Sequence, residues 1–184
     1  MAIHDFLTGA VREFAFQNYA VAMACVCTAL DATAKAEYGG RTRQRCLKYV
    51  DRYLDIITLV GFGGAIVAVP GSTLKVNDPI NRTKTTNITE IIYDSIRCSL
   101  IHEANLPFAV AFTDRSFFGM ENSVFLIPTR FIAALVLAVV ASPHSLGEKM
   151  DESWGIVLDD RPIPINQLMG DASAVRSYLG LAVP

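Results

Sequence analysis

Arg97 and His102, in the stretch RCSLIHE (97–103), are the two residues best suited to chemistry in this chain. An arginine carries a fixed, always-charged fork that fits phosphate oxygens. A histidine titrates near neutral pH and serves as general acid or base. Four residues separate them, which on an ideal α-helix leaves roughly 140° between their directions. One straight helix therefore does not aim both at the same substrate. They converge if the helix bends or ends near His102, or if a second copy meets this helix across a symmetric interface. A plainer reading stays open beside that one. Asp94 stands three residues before Arg97 and offers a local ion pair, and His102 with Glu103 then marks a helix C-terminus, where the macrodipole favours the histidine and not the glutamate.

The other chemistry-bearing features are weaker. RTRQRCLKYVDR (41–52) is dense in cations. Arg41, Arg43 and Arg45 sit at a helix N-terminus, where the dipole disfavours them. They form either a phosphate-tracking patch for RNA or a solvated face. The chain as a whole has a net charge of −2, which excludes a molecule that holds nucleic acid by overall charge. GFGG (61–64) follows a helix and lacks the Lys-Ser/Thr of a phosphate loop, so it is read as a helix stop. Of four cysteines, Cys25, Cys27, Cys46 and Cys98, none has C-x-x-C spacing. His4 and His144 stand isolated in the sequence. No metal site and no cofactor is expected. Ser99, three residues before His102, lacks an oxyanion hole or a third orienting group.

The elements that must position these residues are mostly helical. Phe6, Leu7, Ala10, Val11 and Phe14 share one face, and Tyr19, Ala22, Met23, Val26, Leu30 and Thr33 continue the spacing up to the stop at YGG (38–40). Whether REFAFQNY breaks this run is left open by the pattern. Cys46, Tyr49, Val50, Tyr53, Leu54 and Ile57 make one apolar stripe, with Arg45, Lys48, Asp51, Arg52 and Asp55 opposite. A long connection rich in Pro, Gly, Asn and Asp follows. NITE (87–90) then starts the Arg97 helix, with Asn87 as N-cap and Glu90 at the capping-box position. That helix buries Ile88, Ile91, Ile92, Ser95, Ile96 and Ser99, runs to His102 or Glu103, and is closed off by Pro107.

Beyond it FAVAFTD and NSVFLIPT, separated by RSFFGME, are read as a β-hairpin. PTRFIAALVLAVVAS is a helix with Pro128 near its first turn. WGIVLDDRPIPIN is a second hairpin turning at Asp159-Asp160, and DASAVRSYLGL a short helix capped by Asp171. The expected fold is mainly α: a helical bundle with a small antiparallel β appendage of two hairpins in the C-terminal half. One domain spans 1–184, with a helical core over 1–141 that carries an inserted hairpin, and a hairpin plus short C-terminal helix over 142–184.

The mean hydropathy of +0.34 is high for a soluble domain. Yet FIAALVLAVVA (131–141) and the glycine-broken run at 56–69 fall short of the roughly 20 residues that span a bilayer. No membrane association is expected. The excess apolar surface is expected to be covered in an oligomer. MAIHDFLTGAVREF lacks a charged-then-apolar leader pattern, which points to the cytoplasm.

YDSIRCSLIHE (93–103) resembles the signature helix of the HEPN superfamily, helical domains of about this size, many of them RNases or toxins. Their hallmark is an arginine and a histidine separated by four to six residues, which Arg97 and His102 match. The resemblance covers residues 1–141. It implies a metal-independent endoribonuclease, toxin or defence related, with an antitoxin-like partner. His102 would be general acid/base and Arg97 would stabilise the phosphorane oxygens. It also implies a homodimer joined through the motif helix. Cys98 departs from the pattern, because active members carry a polar residue after the arginine. That departure supports the alternative, a non-catalytic HEPN-like domain binding a nucleotide, RNA or a protein partner.

Overall fold

The computed structural model describes residues 2–79, 81, 84–97 and 109–182. Two helices open the chain, α1 (Ile3–Ala15) and α2 (Tyr19–Tyr38), and REFAFQNY is a break between them. Gln17 turns the chain there with φ 62°. The predicted stripes are the buried ones: Leu7, Ala10 and Val11 on α1, and Ala22, Met23, Val26, Leu30 and Thr33 on α2. Among the described residues α2 alone is long and apolar enough, by length and composition, to cross a membrane. In this fold it is packed by α1, α3 and α6.

The second amphipathic run is two helices rather than one. α3 (Thr42–Arg52) and α4 (Leu54–Gly61) meet at Tyr53, whose φ of −108° interrupts the helix. The stripe from Cys46 to Ile57 is fully buried, as its spacing requires. Asp55, expected on the solvent face, is buried. Its carboxylate accepts from Arg176 Nε (2.6 Å) and Nη2 (3.2 Å). The kink at Tyr53 shifts the phase of the helix, and a cation from the C-terminal helix satisfies the buried charge.

The long connection holds a short antiparallel pair, β1 (Lys75–Asn77) with β2 (Thr85–Asn87). One α-helical turn, α5 (Ile88–Glu90), follows and widens at once into a π-helical segment, Ile91–Arg97. The motif helix is therefore not the ideal α-helix expected from its spacing. Its hydrogen bonds run i→i+5 over this stretch, so the 140° separation does not apply there. Ser99, His102, Glu103, Pro107 and Cys98 lie outside the described residues.

The first expected hairpin is corrected. β3 (Val110–Thr113) and β5 (Val124–Pro128) pair in parallel, Val110 opposite Phe125 and Thr113 opposite Pro128. A third strand, β4 (Gly119–Glu121), lies antiparallel on the other side of β5. The true hairpin is β4–β5, turning through Asn122 (φ 49°) and Ser123 (φ 68°), the left-handed pair that a two-residue hairpin needs. Pro128 ends β5 instead of opening the next helix. The second hairpin is as expected: β6 (Ile156–Leu158) and β7 (Arg161–Ile163), turning at Asp159 and Asp160, with φ 49° and 63°.

α6 (Arg130–Val140) is the hub. Every residue from Phe131 to Val140 is buried, and α4, α2 and α1 all pack on it. At Gly61 an added Cβ would stand 2.5 Å from the Phe131 ring, so glycine sets how closely α4 approaches α6. Tyr49 spends its buried hydroxyl on the Ala138 carbonyl at 2.8 Å. α7 (Ile165–Leu168) and α8 (Ala172–Tyr178) close the chain, and the Asp171 carboxylate caps α8 by accepting from Ala174 N–H at 2.9 Å. The fold is mainly α, and a single apolar cluster runs from Leu7 to Val175.

Candidate functional site around Arg97

The motif segment starts on a firm cap. The Glu90 carboxylate reaches back to Asn87 N–H (3.4 Å) and accepts from the Thr86 hydroxyl (2.7 Å). That hydroxyl bond, with the Asn87 amide and Arg43, outweighs burial and keeps Glu90 below its ordinary pKa. Ile91, Ile92 and Ile96 then bury against the bundle. Arg97, on the same π-helical segment, is buried with them.

Arg97 does not pair with Asp94. Its Nη2 donates to Asp31 Oδ2 on α2 at 2.8 Å, its side chain is 7 % exposed, and its guanidinium lies 5.4 Å from the Tyr93 ring centre. Asp94 instead accepts from Arg43, Nε at 3.1 Å and Nη2 at 2.8 Å. The local i,i+3 pair loses because Arg97 gains a partly buried carboxylate and an aromatic face, both stronger than a solvated pair.

Asp31 is the centre of the cluster. Its Oδ1 accepts from Arg45 Nη2 (3.2 Å) and from the Cys46 thiol (3.3 Å). Burial by itself would raise the Asp31 pKa. The Cys46 bond and the charges of Arg97 and Arg45 outweigh it and hold the carboxyl below its ordinary value. The reverse holds for Cys46: burial first, then the Asp31 carboxylate, push its thiol up to about 12. Cys46 is thus a protonated hydrogen-bond donor at neutral pH, and no nucleophile.

The cationic run at the start of α3 is drawn into the same joint. Arg45 also donates to Gly40 O (3.1 Å), and Arg43 bridges Asp94 and Glu90 (3.2 Å) on the motif segment. Arg41 is the N-cap residue of α3 and is exposed. Of the three arginines expected to track phosphate, two spend their guanidinium groups on carboxylates that hold α3 to α2 and to the motif segment. The sequence reading missed Asp31, whose place on an apolar helix between Leu30 and Ala32 was the available signal.

Elsewhere, His4 is not isolated: its ring and its backbone N–H both meet the Glu148 carboxylate. His144 donates its N–H to Ser142 Oγ. Among the described residues no group of three or more His, Cys, Asp or Glu is arranged to hold a metal ion.

The cluster as described is a clasp. It fixes the π-helical segment to α2 and α3 through two cations on one carboxylate. It holds one of the two motif residues, while His102 lies outside the described residues. No curated protein and no solved structure matches the chain. The family model Rv1289 matches residues 2–182, and the chain belongs to the Rv1289 family.

Proposed function

We propose that this member of the Rv1289 family is a HEPN-like helical domain that works by binding, without nuclease activity. The observation that carries this reading is the buried Arg97–Asp31 pair. To stabilise a phosphorane, a guanidinium must face the substrate in the transition state. Arg97 is nearly enclosed and already committed to a carboxylate and an aromatic ring. Drawing it out would leave Asp31 with a reduced counterion and cost several kcal/mol. Cys98 after the arginine supports the same reading, as does the neutralisation of Arg43 and Arg45. The ligand class is a nucleotide, RNA or a protein partner, and the setting is a cytoplasmic homodimer.

A second reading, the metal-independent endoribonuclease, is favoured by one observation. The described π-helical segment includes Arg97, and such segments recur at functional sites. In that reading the motif segments of two copies meet, His102 moves protons, and a fixed Arg97 meets the phosphate.

One assay separates the two. RNA is incubated with the full chain in excess chelator, beside His102→Ala and Arg97→Ala. The binding reading expects no cleavage above background from any of the three. Chelator-resistant cleavage by the parent chain that disappears in folded His102→Ala overturns it.

A further inference from the structure

A second pair of arginines faces open space. The helix-stop turn after α4, the first residue of α6, the β6–β7 turn and the end of α8 enclose a cleft of about 410 Å³. Gly63, Gly64, Arg130, Asp159, Arg161 and Tyr178 line it, and the rest of its wall is aliphatic. It shares no lining residue with the Arg97 cluster.

Its electrostatics are unbalanced. Arg130 Nη2 donates to Asp159 Oδ2 at 3.0 Å, but the aspartate is 76 % exposed and sits on a hairpin turn. That single bond uses one of the five N–H directions of the guanidinium. Arg130 Nε is buried with no hydrogen-bond acceptor among the described residues. Arg161 is exposed, and its side chain has no ion pair or hydrogen bond among the described residues. Arg130 is also the first residue of α6, whose first turn carries no acid, so the positive end of the helix dipole adds to the guanidinium charge there. The turn makes the close approach possible. At Gly63, with φ 60°, an added Cβ would stand 3.1 Å from Arg130 Nη1.

We infer that this cleft binds a small phosphate monoester bearing an aromatic or apolar group, its phosphate between Arg130 and Arg161 and its apolar part on the aliphatic wall beside Tyr178. Two guanidinium forks match a phosphate dianion in charge and in geometry. Asp159 is then the group that the phosphate displaces. The Tyr178 hydroxyl is already committed to Pro162 O at 2.9 Å, which ties the ring to the hairpin wall. The volume lies in the lower part of the range of small-molecule sites, roughly 300–1,000 Å³, which suits a mononucleotide and not a dinucleotide. This rests on the binding reading above for its biological sense, while its test involves no RNA cleavage and fails or succeeds separately.

The test is calorimetric titration of the full chain with AMP, and in a parallel arm with inorganic phosphate. AMP is expected to bind with a Kd below about 1 mM and inorganic phosphate at least about tenfold more weakly. Arg161→Ala, a change at an exposed residue, is expected to weaken AMP about tenfold with Tm unchanged. Asp159→Asn is expected to tighten AMP severalfold, because the competing carboxylate is gone. Binding is expected to weaken as salt rises. The inference is overturned by the absence of AMP binding up to about 10 mM, by affinity that Arg161→Ala and Arg130→Gln both leave unchanged, or by inorganic phosphate binding as tightly as AMP.

Discussion

Two places in this molecule have the same composition, two arginines and one aspartate, and opposite character. In the first, Arg45 and Arg97 close on Asp31 with side chains 11 %, 7 % and 23 % exposed. In the second, Arg130 meets Asp159 at the lip of a cleft, 29 % and 76 % exposed, and Arg161 stands free of any ion pair among the described residues. Residue type therefore does not decide what a cationic pair does; enclosure does. A carboxylate placed between two cations inside the bundle satisfies them and fixes three elements together. A carboxylate on an exposed turn holds its arginine weakly, since solvent screens the pair, and leaves capacity for a ligand.

The largest expected difference comes from the two aspartates. Asp31→Asn removes the carboxylate that two largely enclosed cations share and is expected to cost about 3 kcal/mol or more in chemical denaturation. Asp159→Asn is expected to stay within about 0.5 kcal/mol of the parent. Equal costs would erase the distinction. Next in size is Arg97→Ala, expected to cost about 2–3 kcal/mol by removing the ion pair and the contact with Tyr93.

Glycines at the end of α4 sharpen the same contrast. Gly61→Ala drives a methyl into the Phe131 ring and is expected to lose about 1–3 kcal/mol. Gly64 has nothing within 4 Å of an added Cβ. Gly64→Ala is expected to cost only the strain of its φ of 81°, about 1 kcal/mol.

The smallest effect is on pH. The folded pKa of Asp31 is lowered, so its stabilising contribution is present above the unfolded carboxyl value of about 3.9 and is lost as pH falls through the folded value. The stability gap between the parent chain and Asp31→Asn is thus expected to be flat near neutrality and to shrink below about pH 4. A gap that widens on acidification would show that Asp31 is not the ionised partner of the two arginines.

What was legible in the sequence was local. The Asn87/Glu90 start, the Asp159-Asp160 turn, the Asp171 cap and the YGG stop each depend on residues within about four positions of one another. The apolar stripes of α1 to α4 were legible because burial follows helical periodicity. What failed depended on distance along the chain. Arg97 finds its carboxylate on α2 and not at Asp94. Asp55 looks like a solvated acid until Arg176, far downstream, is brought against it. β3 and β5 pair in parallel because β4 takes the hairpin position, and no turn residue announces that. The π-helical widening breaks the spacing rule on which the angle between Arg97 and His102 was reckoned. GFGG was rightly seen to end a helix, but its second role, as one wall of a cleft with arginines from two distant elements, has no signature in the sequence.

The burial of α6 bears on how the chain is made. Helices α1, α2 and α4 all bury apolar surface against an element that ends at Val140. On the ribosome the interval from Gly61 to Val140 lasts roughly 4–16 s at about 5–20 residues per second. Throughout that interval the finished helices have no complete core to join. Nascent chains stalled before residue 130 are therefore expected to be held by chaperones or to aggregate, and release is expected only once the last helix of the hub has emerged.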